Sequence, residues 1–315
     1  MTVMGVKPAG RSGMRMGRNP ADIFARMKGV VVLVGAVRPS GLMAGIQRSV
    51  LDLPLNTLGE KLLDRWMREV RQLMDARGIG HMTLKVMLDA GSTAPAVRPA
   101  SEHLPVVVAR DPFEYRGTGG VLHDVARELE DEDYLVVVSG AQLLSESLMD
   151  LVGSLAEGAD VGIVGQRNGT PSGLMLVRCG VLRGISDLGY VDLKEQALPA
   201  IAKKFQVIVG QRELASMPVR TTRDYVTALR HDHRRQRGEM IQTDPFAEDW
   251  HSEFSVVEPG SHVDASARLF DSVVLAGGRV NAGAVLVRTV VCPGGVVRAG
   301  QRLVDQLVDG RGGTP

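Results

Sequence analysis

Hydrophobic and polar positions follow two patterns along most of the chain, one typical of strands and one typical of helices. Short β-branched runs bounded by glycine or polar residues, such as Gly29–Val34 and Tyr134–Val138, are typical of buried parallel strands. Between such runs, Leu58–Ala76 places its apolar residues three and four positions apart, which predicts a helix with one apolar face. Strand and helix patterns alternate over residues 28–230, which predicts an α/β region with a mostly parallel sheet.

The other elements of this region follow the same rules. Further strands are predicted at His81–Leu88, Leu104–Ala109, Asp160–Val164, Gly173–Val177 and Phe205–Val209. Further helices are predicted at Val121–Leu129 and Leu193–Lys204. Residues 231–252 are charged, contain Pro245 and follow neither the strand pattern nor the helix pattern, so they are predicted to form a linker.

A third pattern, a repeat along the sequence, begins after the linker. Segments that start at Ser255, Ser272 and Thr289 align at an offset of 17 residues, and five of their thirteen columns are identical. Aliphatic residues fall five or six positions apart, from Val257 to Leu303. This spacing resembles the hexapeptide repeat, in which aliphatic side chains turn inward and small residues occupy the corners of a triangular coil. Residues 253–309 are therefore predicted to form a short left-handed parallel β-helix of about three coils.

Composition agrees with this organisation and excludes several classes of function. The chain has 315 residues, of which 37 are glycine and 4% are aromatic, as short strands and tight turns require. Its 37 basic and 36 acidic residues give a net charge of +1, which argues against a general nucleic-acid binder. Cys179 and Cys292 cannot form a disulfide framework or a four-ligand zinc site, and their apolar contexts predict buried packing residues.

The first residues of the chain are basic. Lys7, Arg11, Arg15 and Arg18 occur without an acidic residue and without the apolar stretch of a secretory signal. Residues 1–27 are therefore predicted to be a disordered lead, or to follow from a start codon assigned too early. The longest apolar run, at residues 30–37, is much shorter than a membrane span, and we expect a cytoplasmic protein without a membrane partner.

Four blocks of the α/β region resemble the sugar-phosphate nucleotidyltransferases, which make sugar nucleotides from a nucleoside triphosphate and a sugar 1-phosphate. Tyr115–Leu122 resembles the family's Gly-Thr-Ala-Gly segment, and Glu132–Gln142 resembles its strand ending in Asn-Gly-Asp. Tyr190–Ile201 resembles a helix near the substrate, and Pro218–Leu229 resembles the segment Asp-Ile-Gly-Thr-Pro-Glu-Asp-Tyr-Leu-x-Ala. Together with the β-helix, these blocks follow the family's order over residues 28–308. The resemblance implies a divergent member with a nucleotide-diphospho-sugar transferase-type sheet.

The same resemblance implies positions for ligands. Residues that would contact a nucleotide are Gly35, Arg38, Gly117, Thr118, Gly119, Gly120 and Gly140. Gly173 would face the sugar. Asp111 and Glu114 flank the position of the base and are either surface acids or replacement metal ligands.

Several departures from the family concern its chemistry. Gly35–Leu42 keeps an arginine and two glycines of the first loop but loses most of the phosphate cradle, and Leu53–Pro54–Leu55 lacks the family's lysine. Ala141 stands where the family has one metal-binding aspartate, and Pro218 or Val219 stands at the other. The segment 162–173 lacks the family's Glu-Lys-Pro. Because Mg²⁺ bridging phosphate oxygens supplies a dominant part of such catalysis, these losses predict no catalytic residue and no metal ligand.

Three hypotheses for the function follow. The first is a degenerate nucleotidyltransferase-like protein that binds a nucleotide or sugar nucleotide, or acts as a regulatory or scaffold subunit. The second is an active nucleotidyltransferase that uses Mg²⁺ and rearranged ligands, which an open polar cleft near Ala141 with converging carboxylates would favour. The third is a structural module whose pocket is filled by apolar side chains. We expect a homo- or hetero-oligomer formed through the β-helix.

Two other groups of residues invite a chemical role. His231 and His233 lie two positions apart, but the neighbouring Arg230, Arg234 and Arg235 disfavour a bound cation, and a solvated linker is predicted. No base adjoins Ser139 or Ser145 in the sequence, so neither is assigned as a nucleophile.

Overall fold

A seven-stranded sheet lies at the centre of the computed structural model, which describes residues 19–35, 40–98, 101–111, 116–156, 158–167, 171–186, 189–238 and 254–310. Its strand order is β3-β2-β1-β4-β7-β6-β8, and β7 runs antiparallel to both of its neighbours. The strands are β1 (Met27–Val34), β2 (Thr83–Leu88), β3 (Val106–Arg110), β4 (Tyr134–Ser139), β6 (Val161–Gln166), β7 (Pro171–Arg178) and β8 (Val207–Arg212). The predicted mixed, mostly parallel α/β sheet is confirmed.

Helices and one small ribbon complete the α/β region. The helices are α1 (Pro20–Ala25), α2 (Gly41–Gly45), α3 (Leu62–Arg77), α4 (Gly117–Arg127), α5 (Leu148–Gly153), α6 (Cys179–Leu182), α7 (Leu198–Ile201) and α8 (Thr222–Gln236). A 3₁₀ turn covers Val50–Asp52, and a π turn at Leu193–Ala197 leads into α7. The ribbon pairs β5 (Gln142–Leu144) with β9 (Ser216–Pro218). Among the residues described, none of these helices is long and apolar enough to cross a membrane.

Two hydrophobic cores cover the two faces of the sheet. Successive side chains of a strand point to opposite faces, so Val30 and Val32 enter the larger core while Val31 enters the smaller one. The larger core also contains the apolar face of α3, including the fully buried Trp66. Residues of α4 and α6 cover the smaller core. The β-branched runs therefore form strands because both of their faces are buried.

The C-terminal coil, residues 254–310, consists of three small parallel sheets. Their strand orders are β10-β13-β16-β19, β11-β14-β17 and β12-β15-β18. The strands are β10 (Ser255–Val257), β11 (His262–Val263), β12 (Arg268–Phe270), β13 (Ser272–Val274), β14 (Arg279–Val280), β15 (Val285–Val287), β16 (Val290–Val291), β17 (Val296–Val297), β18 (Arg302–Val304) and β19 (Leu307–Val308). Ser255 pairs with Ser272 and Arg268 with Val285, which is the 17-residue offset of the sequence repeat. The arrangement is consistent with the predicted β-helix, and its handedness stays a prediction.

The coil packs directly on the α/β region. Val256, Val273 and Val290 occupy aligned positions of the first coil sheet, and all three belong to the larger core of the α/β region. The next residues on two of these strands, Val274 and Val291, enter a separate core inside the coil. One sheet of the coil therefore contributes to two cores at once.

Two predicted boundaries differ from the structure. In the predicted lead, residues 20–25 form α1, because Asn19 caps the helix and Ile23 and Phe24 are buried in the larger core. Residues 1–18 lie outside the described part of the chain. In the predicted linker, residues 231–236 continue α8, whose start is capped reciprocally by Thr221 and Asp224 at 3.1 Å. Residues 239–253 also lie outside the described part.

The prediction of solvated histidines is wrong because α8 packs between the α/β region and the coil. His233 lies 3.1 Å from the carbonyl oxygen of Leu55, and its ring stacks on Phe254 with centroids 5.4 Å apart. Between the histidines, Asp232 accepts two hydrogen bonds from Arg65 of α3 at 2.8 and 2.9 Å. Both side chains of that pair are buried, at 3% and 2% exposure, so it fixes α8 against α3.

Candidate functional site

The chain order of the central strands defines where a ligand would bind. From β1 the chain proceeds to β2 and β3 on one side, and β4 then pairs with the other side of β1. Such a reversal of strand order leaves a crevice outside the carboxyl ends of the two strands, where open α/β sheets bind ligands. Here the strand ends are followed by Gly35 on β1 and by Gly140 and Ala141 on β4.

A cleft with a volume of about 450 Å³ lies at this edge of the sheet. That volume is within the usual range for a small-molecule site. Its wall combines strand-end backbone, hydroxyl groups and charged side chains. The lining residues are Leu33, Val34, Gly35, Ser40, Met43, Arg48, Ser49, Val50, Asp89, Gly91, Ser92, Thr93, Ser139, Ala141 and Arg220.

Among the described lining residues, Asp89 is the only one with a carboxylate, and it follows β2 directly. Its side chain accepts a hydrogen bond from the Ser92 N–H at 2.7 Å, and Arg110 donates to the carbonyl oxygens of residues 89, 90 and 92. A Cβ atom at Gly35 would lie 2.4 Å from Asp89 Oδ2. Gly35 lines the cleft, and its lack of a side chain leaves room for Asp89. Its contact with a nucleotide stays a prediction.

The two positions aligned with the family's metal-binding aspartates lie side by side. Gln142 of β5 pairs with Pro218 of β9, and the Val219 N–H donates to the Ala141 carbonyl oxygen at 2.9 Å. Magnesium requires oxygen ligands, and neither alanine nor valine has a side-chain oxygen. In the described part of the chain, no three His, Cys, Asp or Glu residues are grouped so that they could hold a metal ion. The residues at this position do not fit Mg²⁺.

The glycines that begin α4 contact their own chain. Gly119 donates its N–H to the Val191 carbonyl oxygen at 2.9 Å, and a Cβ at Gly117 would lie 2.5 Å from that oxygen. The Thr118 hydroxyl accepts a hydrogen bond from Leu193 N–H at 3.2 Å. Close approach of residues 191–193 thus explains the need for glycine. Gly117, Thr118, Gly119 and Gly120 do not line the cleft.

The other predicted site residues lie around the end of β4. A Cβ at Gly140 would lie 2.8 Å from Val34 Cγ2, so that glycine permits close packing of β4 on β1. Gly173 has a φ of +74°, and its backbone lies against Ser139 and Gln142. Neither Gly140 nor Gly173 lines the cleft. Arg38 and Glu114 lie outside the described residues, and Asp111 follows β3 with its N–H bonded to Leu88.

The Leu53–Pro54–Leu55 segment belongs to the core. Leu53 and Leu55 are buried, and the Pro54 carbonyl accepts a hydrogen bond from the Tyr225 hydroxyl. Burial raises the pKa of Tyr225, so this hydroxyl remains a donor. The segment is not part of the cleft wall.

Three charged residues of the cleft were not predicted from the sequence. Asp89 could have been found, because a polar residue directly after a buried strand lies at the ligand-binding edge. Arg48 and Arg220 carry no local signal. Arg48 lies between α2 and the 3₁₀ turn, and the Arg220 carbonyl oxygen accepts a hydrogen bond from the Ser40 hydroxyl across the cleft wall.

Arg48 also joins the cleft to the coil. Its two terminal nitrogens donate to the two carboxylate oxygens of Glu258 at 2.9 and 2.7 Å. The Ala276 N–H donates to the same carboxylate at 2.8 Å. Burial opposes ionisation of Glu258, but the hydrogen bonds from Arg48 and Ala276 outweigh it and lower the pKa of Glu258. Glu258 is therefore an anion at neutral pH.

Comparison with known proteins gives structural neighbours alone. No protein-family model and no curated protein matches the chain. HddC from Yersinia pseudotuberculosis is similar at 14% identity over 64% of this chain and 98% of that chain, with TM-scores of 0.43, and 0.46 when complexed with GMP-PN. A putative glucose-1-phosphate thymidylyltransferase from Bacillus anthracis, in complex with a sucrose, is similar at 12% identity over 64% and 94% of the two chains, with a TM-score of 0.47.

Proposed function

We propose that this protein binds a nucleotide or sugar nucleotide in the cleft at the ends of β1 and β4 and does not transfer a nucleotidyl group. The observation that carries this proposal is the lining itself. Five hydroxyl side chains and two arginines border a cleft at the reversal of strand order. Hydroxyl groups and guanidinium groups are suited to the oxygens of a phosphorylated sugar. At the positions that the resemblance aligns with aspartates, the chain has Ala141, which lines the cleft, and Pro218 or Val219, which do not.

In this proposal the nucleotidyltransferase-like region extends beyond the predicted residues 28–230 to include α1 and the whole of α8, and residues 254–310 form a left-handed β-helix. Gly35 and the residues after β4 contribute to the ligand site. The protein acts as a binding, regulatory or scaffold subunit. The buried, apolar Val219 beside Ala141 supports the loss of catalysis, because it leaves the phosphates without a bridging cation at that place.

A thermal-shift panel tests the proposal. UDP-, ADP-, GDP-, CDP- and dTDP-sugars are each added with Mg²⁺ and with chelator. A ligand at one hundred times its dissociation constant adds about 2.7 kcal/mol to the free energy of unfolding and raises Tm. We expect one class of ligand to raise Tm equally in both conditions. Ala141→Phe, which places a ring in the cleft, should abolish the shift, whereas Ala202→Phe at the exposed end of α7 should not.

A second candidate is an active nucleotidyltransferase with rearranged metal ligands, and Asp89 is the observation that favours it. Asp89 brings one carboxylate to the cleft. This candidate predicts that the wild type releases pyrophosphate from a nucleoside triphosphate and a sugar 1-phosphate when Mg²⁺ is present, and that Asp89→Asn abolishes the release. A thermal shift that requires Mg²⁺ would also favour it over simple binding.

We further propose that the coil forms the oligomer interface. Phe270 and Val304 are 38% and 48% exposed, and both lie in register with Val287 on the outer face of the β12-β15-β18 sheet. An exposed column of apolar side chains is typical of a contact surface. Light scattering after gel filtration should give an oligomer that Phe270→Asp dissociates. Val209→Asp, on the 58% exposed edge strand β8, serves as the control. A monomeric wild type would contradict this proposal.

A further inference from the structure

The cleft wall formed by residues 40–50 rests on the coil. A Cβ atom at Gly45 of α2 would lie 3.2 Å from Cys292 Sγ and 3.5 Å from Leu307 Cδ2. A Cβ atom at Gly41, at the start of the same helix, would lie 3.7 Å from Leu307 Cδ2, which is an ordinary contact distance. Because glycine permits the closer contact at Gly45, the segment that leads from the first loop into Arg48 is packed against the coil.

The backbone next to Arg48 is strained. Gln47 has a φ of +52°, in the left-handed region that a residue with a Cβ atom seldom adopts. Such strain persists where surrounding contacts fix the conformation. Here α2 precedes Gln47 and the Arg48–Glu258 pair follows it, so both sides of the strained residue are held by the coil.

Arg48 is the charged group that the cleft and the coil share. Its side chain lines the cleft and is 20% exposed, while that of Glu258 is 13% exposed. Glu258 occupies both terminal nitrogens of the guanidinium, and Arg48 Nε is buried without a hydrogen-bond partner in the described structure. A carboxylate and a phosphate oxygen require the same donors from an arginine. Glu258 therefore occupies the guanidinium donors that a phosphate group of a ligand would need.

We infer that Glu258 is an internal competitor for Arg48, through which the coil lowers the affinity of the cleft for phosphate groups. This inference rests on the proposed binding function of the cleft. When the ligand is absent, Arg48 pairs with the coil. When a diphosphate enters, the guanidinium exchanges Glu258 for phosphate oxygens.

Inorganic pyrophosphate is the probe for this inference, with binding measured by calorimetry on the full chain. Glu258→Gln keeps the shape of the side chain and removes its charge. We expect it to tighten pyrophosphate binding about tenfold, which corresponds to removal of a nearby like charge from an anion site. Asp305→Asn is the matched control, because Asp305 pairs with Arg288 at 2.6 and 2.8 Å elsewhere on the coil. It should leave the affinity unchanged.

A double-mutant cycle then tests whether Glu258 acts through Arg48. In the Arg48→Gln background, Glu258→Gln should change the affinity less than twofold. Equal tightening in both backgrounds would reveal a general effect of charge and overturn the inference, as would weaker or unchanged binding in Glu258→Gln alone. Hydrogen exchange gives a readout that needs no ligand. Residues 40–50 should exchange faster in Glu258→Gln than in Asp305→Asn, and equal exchange would contradict the coupling.

The inference and the proposed function fail in different ways. If a sugar nucleotide raises Tm but Glu258→Gln leaves both affinity and exchange unchanged, the function stands and the competition does not. If no sugar nucleotide binds the wild type while Glu258→Gln acquires pyrophosphate binding, the competition stands and binding by the wild type does not. Arg48→Lys keeps the charge and removes the bidentate contact with Glu258. Its Tm, compared with that of the wild type, shows whether loss of this contact alone affects folding.

Discussion

The α/β region and the C-terminal coil are both built from parallel strands, but they bury those strands differently. On β1, the adjacent residues Val30 and Val31 enter two cores that helices of the α/β region cover. On β16, Val290 enters the larger core of the α/β region, whereas Val291 enters the small core inside the coil. The α/β sheet is therefore covered by its own helices, and the coil is covered partly by the α/β region.

This difference concerns stability as well as shape. The coil's own core contains six fully buried side chains, all of them small or aliphatic: Val274, Val280, Ala284, Leu286, Val291 and Val297. A core of this size supplies little stabilisation compared with the entropy of ordering the chain around it. The shared core is therefore needed, and we expect the two regions to unfold together.

The most damaging test removes the buried charge pair that fixes α8 between the two regions. Asp232→Ala removes one of the two carboxylates that pair with Arg65, while Glu60 keeps its contacts with Nε and Nη2 at 3.0 and 3.1 Å. Because Asp232 accepts two hydrogen bonds from a charged donor, its loss should reduce the free energy of unfolding by about 3 kcal/mol. Urea unfolding measures the change. The double variant Arg65→Met/Asp232→Leu should lose much less, and equal losses would show that the charges are not what matters.

A sharper test compares the neighbours Val290 and Val291. Each change to alanine removes two methyl groups from a fully buried position, and each should cost about 2 kcal/mol. In a Trp250→Phe background, which leaves Trp66 as the only tryptophan, both variants should keep a single transition, whether it is followed by the fluorescence of the buried Trp66 or by the circular dichroism of the strands. An early transition in Val291→Ala, absent from the Trp66 signal, would mean that the coil unfolds by itself.

Acid should weaken the contact between the regions. The pKa of Glu258 is lowered in the folded protein, because its hydrogen bonds with Arg48 and Ala276 outweigh burial. A lowered carboxyl pKa stabilises the fold above the unfolded value of about 4.3. That contribution is lost as the pH falls from there through the folded pKa. Glu258→Gln should therefore show a smaller loss of stability below pH 4 than the wild type, and identical pH profiles would contradict this.

The smallest expected effect concerns the two cysteine thiols, which should not react while the protein is folded. Burial raises the pKa of Cys179 and of Cys292 to about 12, and both are fully buried. Their predicted role as packing residues is confirmed. Neither thiol should react with a disulfide reagent at neutral pH until the protein unfolds, and both should then react together. Faster labelling of Cys292, detected by mass spectrometry, would show that the coil opens separately.

Elements with a strong local pattern were predictable, and contacts between distant segments were not. The apolar run Gly29–Val34 and the repeat that starts at Ser255 each predicted strands that the structure contains. Such patterns are set by the burial of side chains only a few residues apart. The resemblance at Pro218–Leu229 was recognised without a helix prediction, and the extent of α8 through His233 was missed, because charged residues predict a solvated segment unless a buried partner such as Arg65 is known.

The glycines of the candidate site show the same limit. The segment Gly117–Gly120 has a sequence typical of a ligand loop, yet Val191 of the same chain occupies the space beside it. Gly35 lines the cleft, where it leaves room for Asp89. Glycine indicates that something approaches the backbone closely, and the sequence does not say whether that is a ligand or another part of the chain.

By itself the sequence determined the parallel strands of the α/β region and the 17-residue repeat, and it placed Ala141 and Pro218 or Val219 at positions where the resemblance implies carboxylates. The tertiary structure decided that these two positions are adjacent, that Asp89 borders the cleft, and that Arg48 meets Glu258. The physical reason is how far apart along the chain the interacting residues lie. Strand and repeat patterns follow from the burial of neighbouring side chains, whereas an ion pair between residues 210 positions apart forms because the coil packs on the α/β region.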